Sequence, residues 1–435
     1  MTSNIWRKTL YMTIALLLAS LLSSCRKDEK EEGPADYTVL VYMAADNNLS
    51  SYCEPNMTRM RSAMTSQNDN DRLVVFLDRP GLNPLLLRLK NKGVDTLRVY
   101  PEVRSTDSKV LSYVIKETAE LFPAKHYGLV MWSHGTGWIP SEALHYAASN
   151  LNYAPRRDGA DTGAAAAAES DGRRVIPQTR SFGYESVPVT NVYGGKGYTS
   201  MDIGDMAAAI PDKMFDYILF DACYMANVEI AYALRRKTER VVSSCYEIVA
   251  DGFPYHLMTQ DLLSGNMVSA AEKFYEYYRD LNVSESQRWQ RMGGVSVVET
   301  AGLDSLARCF RKIAEGRTAY VMNMPVSGIQ HFDRFSRTVF YDLEDVAENI
   351  CTEAGVMNEF RAQLDRCISY SMSTPYMFQG DPYNEIRIDR YSGLSIYIPR
   401  TDYESNQIYT SSSRTNLNAE YLKTEWSRAT GYGKK

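Results

Sequence analysis

The chain has 435 residues, enough for two or three domains, and its 44 % apolar and 23 % charged content is that of an ordinary globular protein. A formal net charge of −5, with no basic stripe carrying interleaved aromatics, argues against a nucleic-acid binder. Five histidines, none spaced as a metal pair, give no metal site. The patterns H-E-x-x-H, C-x-x-C, G-x-S-x-G and the P-loop are absent.

The N-terminus reads as a targeting segment. Arg7 and Lys8 precede the apolar run "LYMTIALLLASLL", too short for an ordinary spanning helix and suited to a signal peptide. Leu22-Ser23-Ser24-Cys25 resembles a bacterial lipobox, which implies cleavage before Cys25 and a lipid anchor on it. The expected location is the cell envelope, anchored in the outer membrane, and "RKDEKEEGPAD" (26–36) is a charged tether. Its acidic stretch resembles surface-export signals of some Gram-negative lipoproteins, so outward display is one expectation. Six of the seven cysteines remain after Cys25, scattered without framework spacing, and they are expected as mostly free or buried thiols.

The folded part begins with "YTVLVYMAADNN", a nearly continuous apolar run of the kind a central parallel strand shows. "RLVVFLD" (72–78) repeats it, and "LLLRLKNKGVDTLRVY" reads as two strands about an Asn-Lys-Gly turn. Apolar residues at 110, 111, 114, 115, 118 and 121 have helical spacing, with Pro123 as the stop. "YGLVMWSHG" is another buried strand. "TSMDIGDMAAAIP" reads as a helix capped by Thr199, with Asp202 three residues on. "YILFDAC" and "RVVSSCYEI" are further strands about a helix. This alternation predicts an α/β fold, a mostly parallel sheet flanked by helices, over 37–260. Residues 140–198 break the rhythm with "RRDGADTGAAAAAESDGRR" and "YGGKG", and are expected as a flexible insertion. Residues 261–435 read as a mixed α/β region packed on the core, from "AAEKFYEYYRDL" to the late strand "GLSIYIP".

Two buried strands end in reactive residues. "YGLVMW" delivers Ser133-His134-Gly135, and "YILF" delivers Asp221-Ala222-Cys223. Strand C-termini of an open parallel sheet share one edge, where ligands bind. If the strands are neighbours, His134 can take a proton from Cys223, whose thiolate attacks carbonyl carbon. The pattern Met225, Val228, Ala231, Tyr232 and Leu234 places a helix directly after Cys223, whose N-terminus would favour the thiolate. The amides of Gly135 and Cys223 are the candidate oxyanion donors.

These pieces resemble the clostripain family of cysteine peptidases, which shares the caspase–gingipain–legumain type of fold. The resemblance rests on "YTVLVYMAADNNL", "MWSHGTGW", "FDACYMANVE", "GLSIYIP" and, more loosely, "SCYEIVADGFPY". It implies a His134–Cys223 dyad and cleavage of protein or peptide substrates after arginine or lysine. It also implies acidic residues in the first specificity pocket, matching Asp221 and Asp251; Asp221 lies two residues before Cys223, on the same side of an extended chain. Self-cleavage between the histidine and the cysteine is a further implication. Arg156, Arg157, Arg173, Arg174, Arg180 and Lys196 are its candidate sites, and the uncut chain would be a zymogen. No cofactor is required by this reading; calcium enters by resemblance alone, since no EF-hand spacing occurs. Two alternatives stay open: a non-catalytic surface lipoprotein binding peptide or glycan through its tyrosines, and a peptidase of the same mechanism with non-basic specificity.

Overall fold

The computed structural model describes residues 34–65, 70–140, 182–190, 196–333, 335, 338–378, 385–401 and 416–434. Cys25, Arg156, Arg157, Arg173, Arg174 and Arg180 lie outside the described residues. Among the described residues no helix is long and apolar enough to cross a membrane.

The chain opens with β1 (Ala35–Ala44), followed by helix α1 (Cys53–Ser62). Three consecutive strands come next: β2 (Arg72–Arg79), β3 (Leu82–Lys90) and β4 (Gly93–Val99). Helix α2 (Ser108–Leu121) leads to β5 (Ala124–Trp132), then to a hairpin of β6 (Phe182–Thr190) and β7 (Lys196–Met201). Helix α3 (Ile203–Ala209), β8 (Phe215–Asp221), α4 (Val228–Leu234) and β9 (Thr238–Ser243) complete the expected alternation. Beyond them lie α5 (Tyr255–Ser264), α6 (Met267–Arg279), β10 (Gly294–Glu299), α7 (Leu303–Ala314) and β11 (Tyr341–Asp342). The chain closes through α8 (Leu343–Ile350), α9 (Ala354–Cys367), β12 (Ile368–Ser373), β13 (Tyr376–Phe378), β14 (Glu385–Arg387), β15 (Ser395–Ile396) and α10 (Glu425–Thr430).

Nine strands form one sheet in the order β12-β10-β9-β8-β5-β1-β2-β3-β4. Its five central strands, β9 to β2, run parallel, and two antiparallel strands close each side. Side-chain alternation explains why these strands are apolar throughout. In β1, Leu40, Tyr42 and Ala44 enter one hydrophobic layer, while Val39, Val41 and Met43 enter the other. The first layer packs on α2, α4 and α7; the second packs on α1, α5 and α6. Strands β10 and β12 extend the same sheet from beyond residue 260, so the C-terminal portion completes the layer as well as covering it.

Two expectations are corrected. Within the expected flexible insertion, 182–190 and 196–198 are paired strands of the β6–β7 hairpin. That pairing keeps Thr199 extended in β7, where its hydroxyl bonds Thr106 Oγ1 at 2.8 Å, and the N-cap of α3 is instead Asp202. Lys196 begins β7.

Candidate active site

Strands β5 and β8 are neighbours, and Trp132 pairs with Asp221 at their C-terminal ends. His134 and Cys223 each follow two residues later, so both loops leave the sheet side by side. The loops touch: a Cβ added at Gly135 would come 2.6 Å from the Cys223 carbonyl oxygen and 3.0 Å from Met225 Sδ. Any side chain there would push the two loops apart. The expected oxyanion donors, the amides of Gly135 and Cys223, belong to these contacting loops.

The histidine loop is tied from three directions. Ser133 Oγ donates to Ala44 O at 2.6 Å and its amide to Asp221 O at 3.3 Å, which fastens β5 to both flanking strands. Gly183 N–H donates to His134 O at 3.0 Å, and Phe182 forms an antiparallel bridge with Gly135. Gly137 turns the chain at φ +67°, a conformation that strains any L side chain. There Trp138 N–H reaches Asn227 Oδ1 at 3.0 Å, and Asn227 Nδ2 donates to Ser395 Oγ at 2.7 Å. The backbone of β15 closes this stitch, with Ser395 N–H on Ala226 O at 2.8 Å.

His134 is buried, and Nε2 lies 2.7 Å from Asn48 Oδ1. Burial pulls its imidazole down to about 4. Cys223 is partly exposed, and its sulfur accepts the Ile248 N–H at 3.3 Å. Burial, followed by the Glu247 charge, pushes the thiol up to about 12, against the pull of the Ile248 amide. Glu247 also accepts the Tyr224 hydroxyl at 3.0 Å.

The expected helix N-terminus at Cys223 is absent. Tyr224 adopts a left-handed φ of 59°, and α4 starts only at Val228 after its N-cap Asn227. The apolar spacing was real, since Met225 and Val228 are buried, but a tight turn intervenes. The single amide on the sulfur, that of Ile248, pulls in the direction expected of the helix dipole but is outweighed by burial.

Asp221 is 5 % exposed, and Oδ2 accepts the Tyr255 hydroxyl at 2.7 Å and the Phe253 N–H at 3.2 Å. Burial nonetheless lifts its carboxyl to about 6. Gly252 packs directly on this carboxylate, where a Cβ would meet Oδ2 at 2.5 Å. The neighbouring Asp251 is on the surface, paired with Arg59 Nη2 of α1 at 3.1 Å. The two expected pocket carboxylates thus share one segment, one beneath it and one on it. Among the described residues no group of three His, Cys, Asp or Glu could hold a metal ion. The six described cysteines are free thiols.

Sequence reading missed Asn48, Glu247 and Ile248. Asn48 stood in a quoted motif, and the strand-end rule that singled out His134 and Cys223 applies equally to the loop after β1. Nothing in "SCYEI" marks Ile248, whose contribution is a backbone amide.

This large, mostly parallel sheet flanked by helices is the architecture of the C11 cysteine proteases. The clostripain family model matches residues 41–153 and 163–429, and the chain belongs to that family of cysteine endopeptidases. Among solved structures it is similar to an inactive zymogen C11 protease from Parabacteroides distasonis. The two share 27 % identity at TM-score 0.71, with 92 % of this chain and 99 % of that one covered. A secreted C11 cysteine protease from Bacteroides thetaiotaomicron, solved with an irreversible peptide inhibitor, shares the fold at 24 % identity. Its TM-score is 0.67, with 91 % of this chain and 99 % of that one covered. No curated protein matches this chain.

Proposed function

We propose that this endopeptidase is a secreted, lipid-anchored enzyme that cleaves after arginine or lysine through a His134–Cys223 dyad. The observation that carries the dyad is the Trp132–Asp221 register, with Gly135 seated against the Cys223 carbonyl. His134 takes the thiol proton as Sγ bonds to the scissile carbonyl carbon, and the amides of Gly135 and Cys223 receive the oxyanion. The C–N bond then breaks, and the amine leaves with the proton from His134. Water adds to the thioester as His134 accepts its proton, and the C–S bond breaks as His134 passes that proton to Sγ, restoring the thiol.

The form described here suits a zymogen. Burial favours the neutral forms of both the His134 imidazole and the Cys223 thiol. Phe182 and Gly183, within the 140–198 insertion, are held on the His134–Gly135 backbone. A cut within 140–181 gives that segment a free end. Its similarity to a protein named an inactive zymogen supports the same reading.

The preference for a basic residue rests on Asp221 and Asp251. Asp251 already holds one guanidinium, that of Arg59, through its carboxylate at 3.1 Å and its carbonyl at 3.2 Å. Cys25 and the tether supply the membrane anchor, with outward display as the corollary.

Thiol-reactive peptide probes carrying Arg, Lys, Asp or Asn at P1 test this reading. Labelling of Cys223 by the Arg and Lys probes supports it; labelling by an Asp or Asn probe alone overturns the pocket. Intact masses of wild type and Cys223→Ala that differ by the substitution alone end the self-processing idea.

A further inference from the structure

Three consecutive strands of the sheet, β8, β5 and β1, release their C-terminal loops at one edge. The first two supply Cys223 and His134. The third supplies Asn48, whose Oδ1 lies 2.7 Å from His134 Nε2.

We infer that Asn48 is the residue that positions His134, fixing its ring orientation and holding its proton on Nε2. The inference rests on the dyad reading above. A carboxamide oxygen only accepts, so Nε2 donates to it. A neutral imidazole carries one proton, and Nδ1 becomes the basic nitrogen. Nδ1 is then the atom that takes the thiol proton and returns it to the leaving amine.

The loop that carries Asn48 is built to hold it. Asn47 Nδ2 donates to Ala44 O at 3.0 Å, and Asn47 Oδ1 accepts the Leu49 N–H at 2.9 Å. Ser50 N–H bonds Asn47 O at 3.2 Å, and Ala45 N–H bonds Asp78 O at 3.0 Å. Ser133 Oγ on Ala44 O ties the same loop to the residue beside His134. Asn48 itself is exposed. The chain is braced on both sides of Asn48, and its side-chain oxygen faces the buried imidazole.

The test reads His134 directly by nitrogen NMR of isotope-labelled histidine in a Cys223→Ala background, with the resonances assigned through His134→Gln. The expected neutral tautomer carries its proton on Nε2. Asn48→Ala loses that preference, and Asn48→Asp raises the His134 titration midpoint by about one unit or more, because a carboxylate then faces the imidazolium. In the active protein Asn48→Ala lowers kcat roughly tenfold or more, a share of the ~10²–10⁴ that positioned acid–base catalysis provides, with KM unchanged. A proton on Nδ1, or a midpoint unmoved in Asn48→Asp, overturns the assignment. A lower melting temperature without either NMR change assigns Asn48 a structural role only. Failure of the dyad reading shows separately, as full peptidase activity in His134→Ala.

Discussion

Trp132 and Asp221 are register partners on adjacent parallel strands, and this pairing alone decides that a histidine and a cysteine far apart in the chain emerge together. A one-residue slip of β8 against β5 would turn Asp221 away from Tyr255 and send Leu219 to the wrong layer. The register is thus fixed by burial on both faces, and the reactive loops inherit that precision.

Activity is expected to depend on both loops. Cys223→Ala abolishes hydrolysis of Arg- and Lys-peptides, and His134→Ala lowers it by ~10²–10⁴, the usual range for a lost acid–base group. Initial rates on such peptides check this. Wild-type rates in either variant would move the chemistry elsewhere.

Gly137 is expected to tolerate no side chain. In Gly137→Ala the new Cβ would fall 2.1 Å from Asn227 Oδ1 and 2.8 Å from the Phe340 ring. The cost is about 1–3 kcal/mol from overpacking, with further strain from the left-handed φ. Urea titration and peptidase rates should fall together; an unaltered midpoint would remove Gly137 from the scaffold of the site.

Arg59 and Asp251 form a surface pair, worth at most about 1 kcal/mol to stability. Arg59→Ala should leave the melting temperature nearly unchanged. If Asp251 receives the substrate's basic group, removing this internal competitor lowers KM for an Arg-P1 peptide by about fivefold, the equivalent of ~1 kcal/mol. An unchanged KM would place Asp251 outside the pocket.

The hairpin that touches the histidine loop carries a pH dependence. Glu185 Oε2 accepts from Thr106 Oγ1 at 3.0 Å, close to Asp78 of β2 and to Asp46 of the β1 loop. Burial, aided by the Asp78 and Asp46 charges and opposed by Thr106, raises Glu185 to about 7; burial raises Asp78 to about 6. Both pKa values lie above those of the unfolded chain, so the folded state holds more protons between about pH 4 and 7. Their contribution is complete below about pH 4 and is lost as pH climbs to about 7. Glu185→Gln should flatten that decline by on the order of 2 kcal/mol, read as urea midpoints from pH 4.5 to 7.5. Parallel wild-type and variant curves would contradict it.

The sheet and the placement of His134 and Cys223 at neighbouring strand ends were legible because their signals are local. Uninterrupted apolar strands mark burial on two faces, and a His-Gly or Ala-Cys step at a strand end marks the edge where ligands bind. What stayed hidden depends on contacts across the chain. The turn at Tyr224, which replaces the expected helix start, leaves no trace in apolar spacing because Met225 and Val228 remain buried. The engagement of Asp221 by Tyr255, and of Asp251 by Arg59, joins residues whose partners no periodicity can name. Asn48 was overlooked because its role comes from the neighbouring strand, not from its own segment.

The stitch from Ser395 through Asn227 to Trp138 has a genetic corollary. A premature stop codon upstream of Ser395 would leave every reactive group translated, yet strip the loop around His134 of its outer support. Such a truncation should behave as a loss-of-function allele, however far it falls beyond the codon for Cys223.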